Sequence, residues 1–441
     1  MDNKFGSLCH LFVTIFLATF AGIVTLPAIT DVTMAALCPG QDECSLAIYL
    51  SGFQQAAAGL GSVLMTPLIG NLSDVYGRKA LLTLPLTLYI LPFVVLAYRR
   101  ETSFYYAHYV LKTLTSMMGE GTLQCLSLAY VADNISESKR GAAFGILAGV
   151  SSAAFVCGTV SARFLSTAQT FQVATLSAMA ATVYMRIFLK ETPQQTDNST
   201  QPLLKSEPGK SQENESSNNI QVFKHIPSIQ DIRNLLESSK TFSRVAVIVL
   251  FNSLAGGGLH ASLMYFLKAQ FHFSKDEYAY LMLIIGIAGM VSQLILMPVL
   301  LPLLGEDILL RIGLLAACTS MTLNSIAWDT WVIYAASGFQ VVVTFTYPCL
   351  RSIASKQVGA DEQGKAQGCI SGIESLANII SPLIFSPLTA IFLSKTAPFY
   401  FPGFSLLCTA LCMVIAFILS LMIKATPDIP THKANNKCIE A

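Results

Sequence analysis

The chain has 441 residues, of which 53% are apolar and only 12% charged, and its mean hydropathy is +0.57. A soluble chain cannot bury that much apolar surface around one core, so the sequence predicts a polytopic membrane protein. A formal net charge of +1, with Lys and Arg scattered over loops, lacks the clustered basic stripe of a nucleic-acid binder and predicts no such partner.

Runs of about 20 apolar residues, the length a helix needs to cross a hydrocarbon core, occur at 8–29, 46–69, 80–98, 104–131, 141–165, 170–189, 242–266, 278–302, 308–327, 331–354, 366–393 and 400–424. They predict an all-α membrane fold of twelve transmembrane helices, because strand-length alternating segments are absent and helices satisfy every backbone polar group internally. The first run follows Lys4 but is too long for the apolar part of a signal peptide and lacks a small-residue cleavage site, so it reads as a helix. Asp31 falls just beyond it. Between the second and third runs, Gly70-Asn71-Leu72-Ser73-Asp74-Val75-Tyr76-Gly77-Arg78-Lys79 reads as a tight loop at a membrane surface.

Ionisable side chains at membrane depth are costly and usually face a cavity. Glu120 lies midway along the fourth run, with Gln124 one turn on. It is the leading proton-coupling carboxyl, the alternative being a hydrogen-bonded tie between helices. Lys112 precedes it by eight residues, about 12 Å of rise, so the two do not pair directly. Lys112 either meets an anionic solute group or snorkels to the interface. Glu374, two turns into the eleventh run with Asn378 one turn on, is a second proton or gating carboxylate, or else a structural pair. Further cavity candidates are Asn252 and His260 on the seventh run, where a packing role for His260 competes, and Gln340, Thr344 and Tyr347 on the tenth.

The segment 193–241 is rich in Ser, Asn, Gln, Pro and Glu and reads as a disordered linker, with helix-like spacing near Ile226 to Leu236. Its Gln201-Pro202-Leu203-Leu204 stretch lacks the acid a sorting signal needs and reads as solvated linker. The predicted organisation is therefore a six-helix bundle over 1–192, the linker, a second six-helix bundle over 242–424 and a tail at 425–441. The halves repeat: Gly141-Ala142-Ala143-Phe144-Gly145-Ile146-Leu147-Ala148-Gly149 aligns with Gly364-Lys365-Ala366-Gln367-Gly368-Cys369-Ile370-Ser371-Gly372 at an offset of 223. Gly305-Glu306-Asp307 sits where a second copy of the 70–79 loop belongs, without its basic pair. Such repeats imply parallel halves with a solute site between them near the midplane.

With the N-terminus inside, 20 Lys and Arg, Arg351 among them, fall on the cytosolic side and 6 on the other, which predicts both termini in the cytosol. The sequons at Asn71, Asn134, Asn198 and Asn214 then face the cytosol and carry no glycan. Eleven cysteines show no metal-ligand spacing. Cys38 and Cys44, in the first non-cytosolic loop, form a disulfide or remain two thiols according to the compartment.

The loop pattern G-x-L-S-D-x-x-G-R-K between two spans resembles the signature of the major facilitator superfamily of secondary transporters. Ala129-Tyr130-Val131-Ala132-Asp133, Arg140-Gly141, Glu191-Thr192-Pro193 and the stretch from Asp361 to Gly372 resemble its tetracycline/proton antiporter branch. They also resemble that branch's eukaryotic hippocampus-abundant-transcript-like and proton-coupled folate transporter relatives, and the chain would fall in their plant-type group. The likeness departs at Gly158-Thr159-Val160, where drug antiporters carry Gly-Pro and further glycines, so drug efflux is not implied. The resemblance implies that Asp74 accepts hydrogen bonds from the N-terminus of the eleventh helix near Gly364 to Gly368. Arg78 is placed to pair with Asp133. With Gly77 and Arg140 these residues are expected to form a gating latch, the alternative being a solvated loop with no coupling role.

The expected function is secondary active transport of a small organic solute, anionic or zwitterionic, by proton-coupled alternating access. A non-transporting membrane sensor with the same fold is the alternative. No G-x-x-x-x-G-K-[ST] motif, metal-ligand set or nucleophile constellation accompanies the spans, so neither a pump nor an enzyme is expected, and no cofactor. The expected partners are the solute, protons and the lipid bilayer, the chain acting as a monomer in the plasma or vacuolar membrane.

Overall fold

Inside lipid a backbone polar group finds no water, so each must be paired within its own segment or within protein. The computed structural model describes residues 2–37, 39, 45–191, 236, 239–273, 275–359, 362–393 and 397–423, and their regular structure is helical. The helices are α1 (Asp2–Val24), α2 (Leu26–Leu37), α3 (Ser45–Tyr76), α4 (Arg78–Tyr98), α5 (Thr102–Asn134), α6 (Glu137–Ala162) and α7 (Thr167–Phe188) in the first half. The second half holds α8 (Lys240–Phe271), α9 (Lys275–Val291), α10 (Met297–Leu304), α11 (Glu306–Ser325), α12 (Thr330–Gly338), α13 (Gln340–Val343), α14 (Thr346–Ser355), α15 (Gln363–Leu393) and α16 (Phe404–Leu421). Among the described residues eleven helical stretches are long and apolar enough to cross a membrane. The remaining span, α5, has 33 residues and is made less apolar by Lys112, Glu120 and Asp133. The result is a twelve-span, multi-pass membrane protein.

Several spans depart from uninterrupted helices. The first breaks at Thr25 and resumes as α2, with Pro27 in its first turn, where a missing N–H is tolerated. Asp31 thus lies inside α2 and not beyond the first helix. The expected loop at 70–79 is almost absent: α3 stays helical through Tyr76, α4 begins at Arg78, and Gly77 alone makes the turn. Helical geometry there carries Asp74 on the last turn of α3. The eighth span contains a π-helical segment, Ser292–Leu296, between α9 and α10, and the tenth is divided into α12, α13 and α14. Apolar periodicity carries no signal for either break. Most of the linker, the 425–441 tail, Cys38, Cys44, Asn198, Asn214 and the side chain of Glu120 lie outside the described residues.

Each half has one main apolar core and smaller clusters beside it. Leu11, Leu86, Leu126, Phe144 and Met185 pack among α1 and α4–α7, and Phe242, Ile248, Leu314, Cys349 and Met413 among α8, α11, α14 and α16. Leu91, Leu176, Ile187, Leu383 and Ile418 are exposed, as lipid-facing side chains should be. Between the halves run two seams, α3 against α15 and α6 against α9, the π segment and α10. The repeated glycines line both. Those of α15 lie on Gly70, Thr66 and Pro67, and those of α6 on Leu301, Met297 and Leu294. Small residues let backbones approach where lipid supplies no hydrophobic drive between helices.

Gly77 and Gly305 turn the chain in the same way, with φ 90 and ψ 150 at the first and φ 82 and ψ 163 at the second. That region is essentially closed to other residues, at a cost of about 1–3 kcal/mol. Gly305→Ala places its Cβ in open space and isolates the backbone term, whereas a Cβ on Gly77 would lie 2.7 Å from Glu191 Oε1. The midpoint of thermal unfolding of the detergent-purified chain should therefore fall in both variants, and further for Gly77→Ala.

Candidate functional site

A helix leaves its first four N–H groups without intrahelical partners. At the start of α15 two of these meet Asp74, from the other half: Gly364 N donates to Oδ1 and Lys365 N to Oδ2, each at 3.0 Å. A carboxylate on a helix N-terminus is favoured by the helix dipole as well as by the bonds. Arg78, the first residue of α4 and 3% exposed, donates Nε to Asp133 Oδ2 at 2.9 Å, Nη2 to Asp74 and Nη1 to Ser73 Oγ. Asp133 sits in the last turn of α5, an unfavourable place for an anion, and Arg78 neutralises it. Glu191 completes this corner by accepting from Lys79 N at 3.0 Å, at the N-terminus of α4.

The backbones at this contact approach closely, since a Cβ on Gly70 would lie 2.5 Å from the carbonyl oxygen of Gly364. Arg140 makes a separate bridge. Its Nε donates to Ala132 O and its Nη1 to Ser355 O in the second half, both at 3.2 Å. All five residues expected in the latch thus gather at one end of the bundle. The start of α8 and the end of α16 meet at Arg244, whose Nη1 donates to Met422 O at 2.6 Å, and Arg311 Nη2 donates to Ile423 O at 2.8 Å.

A second polar network crosses between the halves through the tenth span. Gln124 Nε2 on α5 donates to Tyr347 OH at 2.5 Å. The Tyr347 ring lies 5.2 Å from the guanidinium carbon of Arg351. Arg351 Nη2 meets Glu374 Oε2 at 2.5 Å, and its Nη1 reaches Gln367 O at 3.0 Å and Gln367 Oε1 at 3.1 Å. Arg351 is 0% exposed, so counting it among cytosolic loop cations was wrong: it is a buried intramembrane charge. The signal for it was present in the sequence, an Arg inside an apolar run with Glu374 on the next span. A charge that deep must be paired.

The other expected cavity residues are dispersed. Lys112 lies over the Tyr89 ring, 5.1 Å from its centroid. Thr344 Oγ1 donates to Ser292 Oγ at 2.9 Å, beside Gln293, whose Oε1 accepts from Ser152 Oγ of the first half at 3.1 Å. The break in the tenth span and the π segment of the eighth therefore lie side by side. Gln340 and Asn252 are half-buried and His260 is exposed. Among the described residues none of these three joins the Arg351 network.

Comparison with known proteins bears on this geometry. The Major Facilitator Superfamily model matches residues 11–382, with a second match over 245–437. The chain is similar to the hippocampus abundant transcript 1 protein of Homo sapiens, 25% identical over 390 residues covering 88% of this chain and 74% of that protein. It is also similar to the class B tetracycline resistance protein of Escherichia coli, 21% identical over 339 residues, 76% of this chain and 78% of that one. The crystal structure of the human organic anion transporter TETRAN superposes with a TM-score of 0.73 at 18% identity, covering 95% of this chain and 99% of that chain. This chain belongs to the major facilitator superfamily and is a secondary transporter.

Proposed function

We propose that the chain moves a small organic solute by proton-coupled alternating access, with the Asp74 end facing the cytosol and held shut by the contacts described above. The observation that carries this reading is the carboxylate of Asp74 on the N-terminus of α15, because it joins the two halves through groups that water can satisfy once they part. The excess of Lys and Arg at the same end supports a cytosolic orientation for it and for both termini. The membrane is plasma or vacuolar and the working unit is a monomer. Lys112 and the buried Arg351 favour an anionic or zwitterionic solute, and TETRAN is itself named an organic anion transporter.

Glu374 supplies a way to couple protons. Its bond to Arg351 joins α14 to α15 as a charge pair, and protonation removes the charge while leaving the side chain in place. Arg351 is then released toward an anionic solute. Glu120 on α5, the leading carboxyl in the sequence, is the other coupling candidate.

Two measurements test the proposal. Cys125 is 0% exposed and its Sγ lies 3.8 Å from Gly364 O, which makes it a native reporter of this seam. Hydrogen bonds to a charged group contribute about 1.5–3 kcal/mol each, so Asp74→Asn should raise the rate of Cys125 alkylation, read peptide by peptide, roughly tenfold. Transport should fall while membrane insertion stays normal. Wild-type alkylation and transport in Asp74→Asn would remove the gate.

For proton coupling, uptake is compared in proteoliposomes with and without an imposed pH gradient. Glu374→Gln should lose accumulation against a gradient yet still exchange solute, and Glu120→Gln is run beside it. Whichever variant keeps full gradient-driven accumulation identifies a structural carboxyl.

A further inference from the structure

The two halves use one backbone frame at the Asp74 end and fill it with opposite charges. Gly77 and Gly305 share their unusual dihedrals, and each is followed at once by a charged first residue of a helix, Arg78 on α4 and Glu306 on α11. In the first half Arg78 pairs with Asp133 at 2.9 Å. In the second half Glu306 pairs with Lys356 at 3.0 Å, and Lys356 follows Asp133 by 223 residues, the offset of the repeated glycines. Arg–Asp has become Glu–Lys. The helix end that is engaged is also inverted. An anion, Asp74, caps the N-terminus of α15, whereas a cation, Arg140, donates to Ser355 O in the last turn of α14, where the helix dipole is negative.

We propose that Glu306, with Lys356 and Ser352, forms the anvil of a second clasp of reversed polarity. It seats the first turns of α6 and, together with Arg140, holds the same end shut. Glu306 Oε1 accepts from Ser352 Oγ at 2.6 Å and from Lys356 Nζ, and its side chain is only 9% exposed. Directly above lies Gly141 of the other half. A Cβ there would fall 2.8 Å from Glu306 Oε1, 2.8 Å from Leu301 Cδ2 and 3.3 Å from Ser352 Oγ. Only a residue without a side chain lets α6 sit this low on the shelf.

The sign of the charge follows from the neighbour across the seam. Arg140, 6% exposed and 3.9 Å from Glu137 on its own helix, directly precedes Gly141, whose Cβ position lies against Glu306. A copy of the basic Arg78 at position 306 would set two guanidinium groups against each other in a poorly hydrated site, so this frame needs an acid. Glu306 and Lys356 are positioning residues. They orient the shelf on which α6 and Arg140 dock and are not themselves part of the solute path.

This inference rests on the reading that the Asp74 end opens and closes during transport, and the test separates the two. Alkylation of native Cys125 reports on the α3–α15 seam, away from Glu306, so local fraying at Glu306 does not move it. The full chain is purified in detergent as wild type, Glu306→Gln, Gly141→Ala and Asp74→Asn, each checked for a single size-exclusion peak. Glu306→Gln keeps the shape and removes the charge, while Gly141→Ala leaves the charges and inserts a methyl group. Each should speed Cys125 alkylation roughly tenfold, the scale expected on weakening a charge-assisted hydrogen bond. A variant carrying both Glu306→Gln and Gly141→Ala should fall short of the product of the singles, because both act on one contact.

Wild-type alkylation in both Glu306→Gln and Gly141→Ala, with acceleration in Asp74→Asn, overturns the second clasp and leaves the first standing. Acceleration in Glu306→Gln and Gly141→Ala with none in Asp74→Asn supports the second clasp and removes Asp74 from the gate. No acceleration in any variant overturns both.

Discussion

A carboxylate from one half resting on the open N-terminus of a helix from the other is the interaction around which this molecule is arranged. In lipid, helices gain no hydrophobic free energy from associating, so two bundles that must part repeatedly are better joined by a few polar contacts than by a large apolar face. Asp74 meets that need. Its partners are N–H groups with no intrahelical acceptor, and water takes the place of the carboxylate when they separate. Moving a two-state equilibrium from 1:99 to 99:1 requires about 5.5 kcal/mol. A handful of charge-assisted hydrogen bonds at about 1.5–3 kcal/mol each lies on that scale. Contacts on that scale fit the proposed latch, which must hold one state and still be released by a solute or a proton.

Arg78 makes this arrangement affordable. Asp74 and Asp133 are both largely withdrawn from water, with side chains 9% and 14% exposed, and neither would stay charged there alone. One guanidinium serves both because its planar fork presents donors in two directions, which a lysine ammonium does not. The glycine repeat supplies the rest. By letting α15 lie on the backbone of α3 and α6 on the side chains of the π-distorted eighth span, it brings the charged groups within bonding distance.

Much of this was legible in the sequence. The spans follow from apolar runs of a fixed length. The meeting of Asp74 with α15 and of Arg78 with Asp133 followed from charges placed at helix ends and from the family resemblance. The repeat announced itself as glycines at a constant offset. What was hidden has physical reasons. A helix continues through polar residues when they find partners, so Asn71 to Tyr76 read as loop but fold as the end of α3. The breaks in the eighth and tenth spans depend on neighbouring hydroxyls and carbonyls, such as Ser292, Thr344 and Val341, which no one-dimensional pattern encodes. Arg351 was legible as an Arg inside the run 331–354, but its pairing with Glu374 depends on how two separate helices meet. Glu306 looked like a degenerate signature because its partner, Lys356, lies 50 residues away and carries the opposite sign.

The offset of 223 locates the axis relating the halves. Two equivalent atoms of a two-fold arrangement touch only where they lie near the axis. Gln124 and Tyr347 are equivalent by that offset and share a hydrogen bond, and Ala132 and Ser355 are equivalent and are bridged by the single guanidinium of Arg140. The axis therefore passes between α5 and α14. Along α14, Arg351 follows Tyr347 by one turn, so this fully buried guanidinium stands beside the axis. The equivalent positions to Arg351 and Glu374 in the first half are Leu128 and Ser151, which carry no charge. The frame of contacts at this end is thus close to symmetric, whereas the Arg351–Glu374 ion pair belongs to one half only. Separation of the halves at this end must part Gln124 from Tyr347, the residue stacked on Arg351. A change at Arg351 is therefore felt directly at the contact on which the two bundles turn.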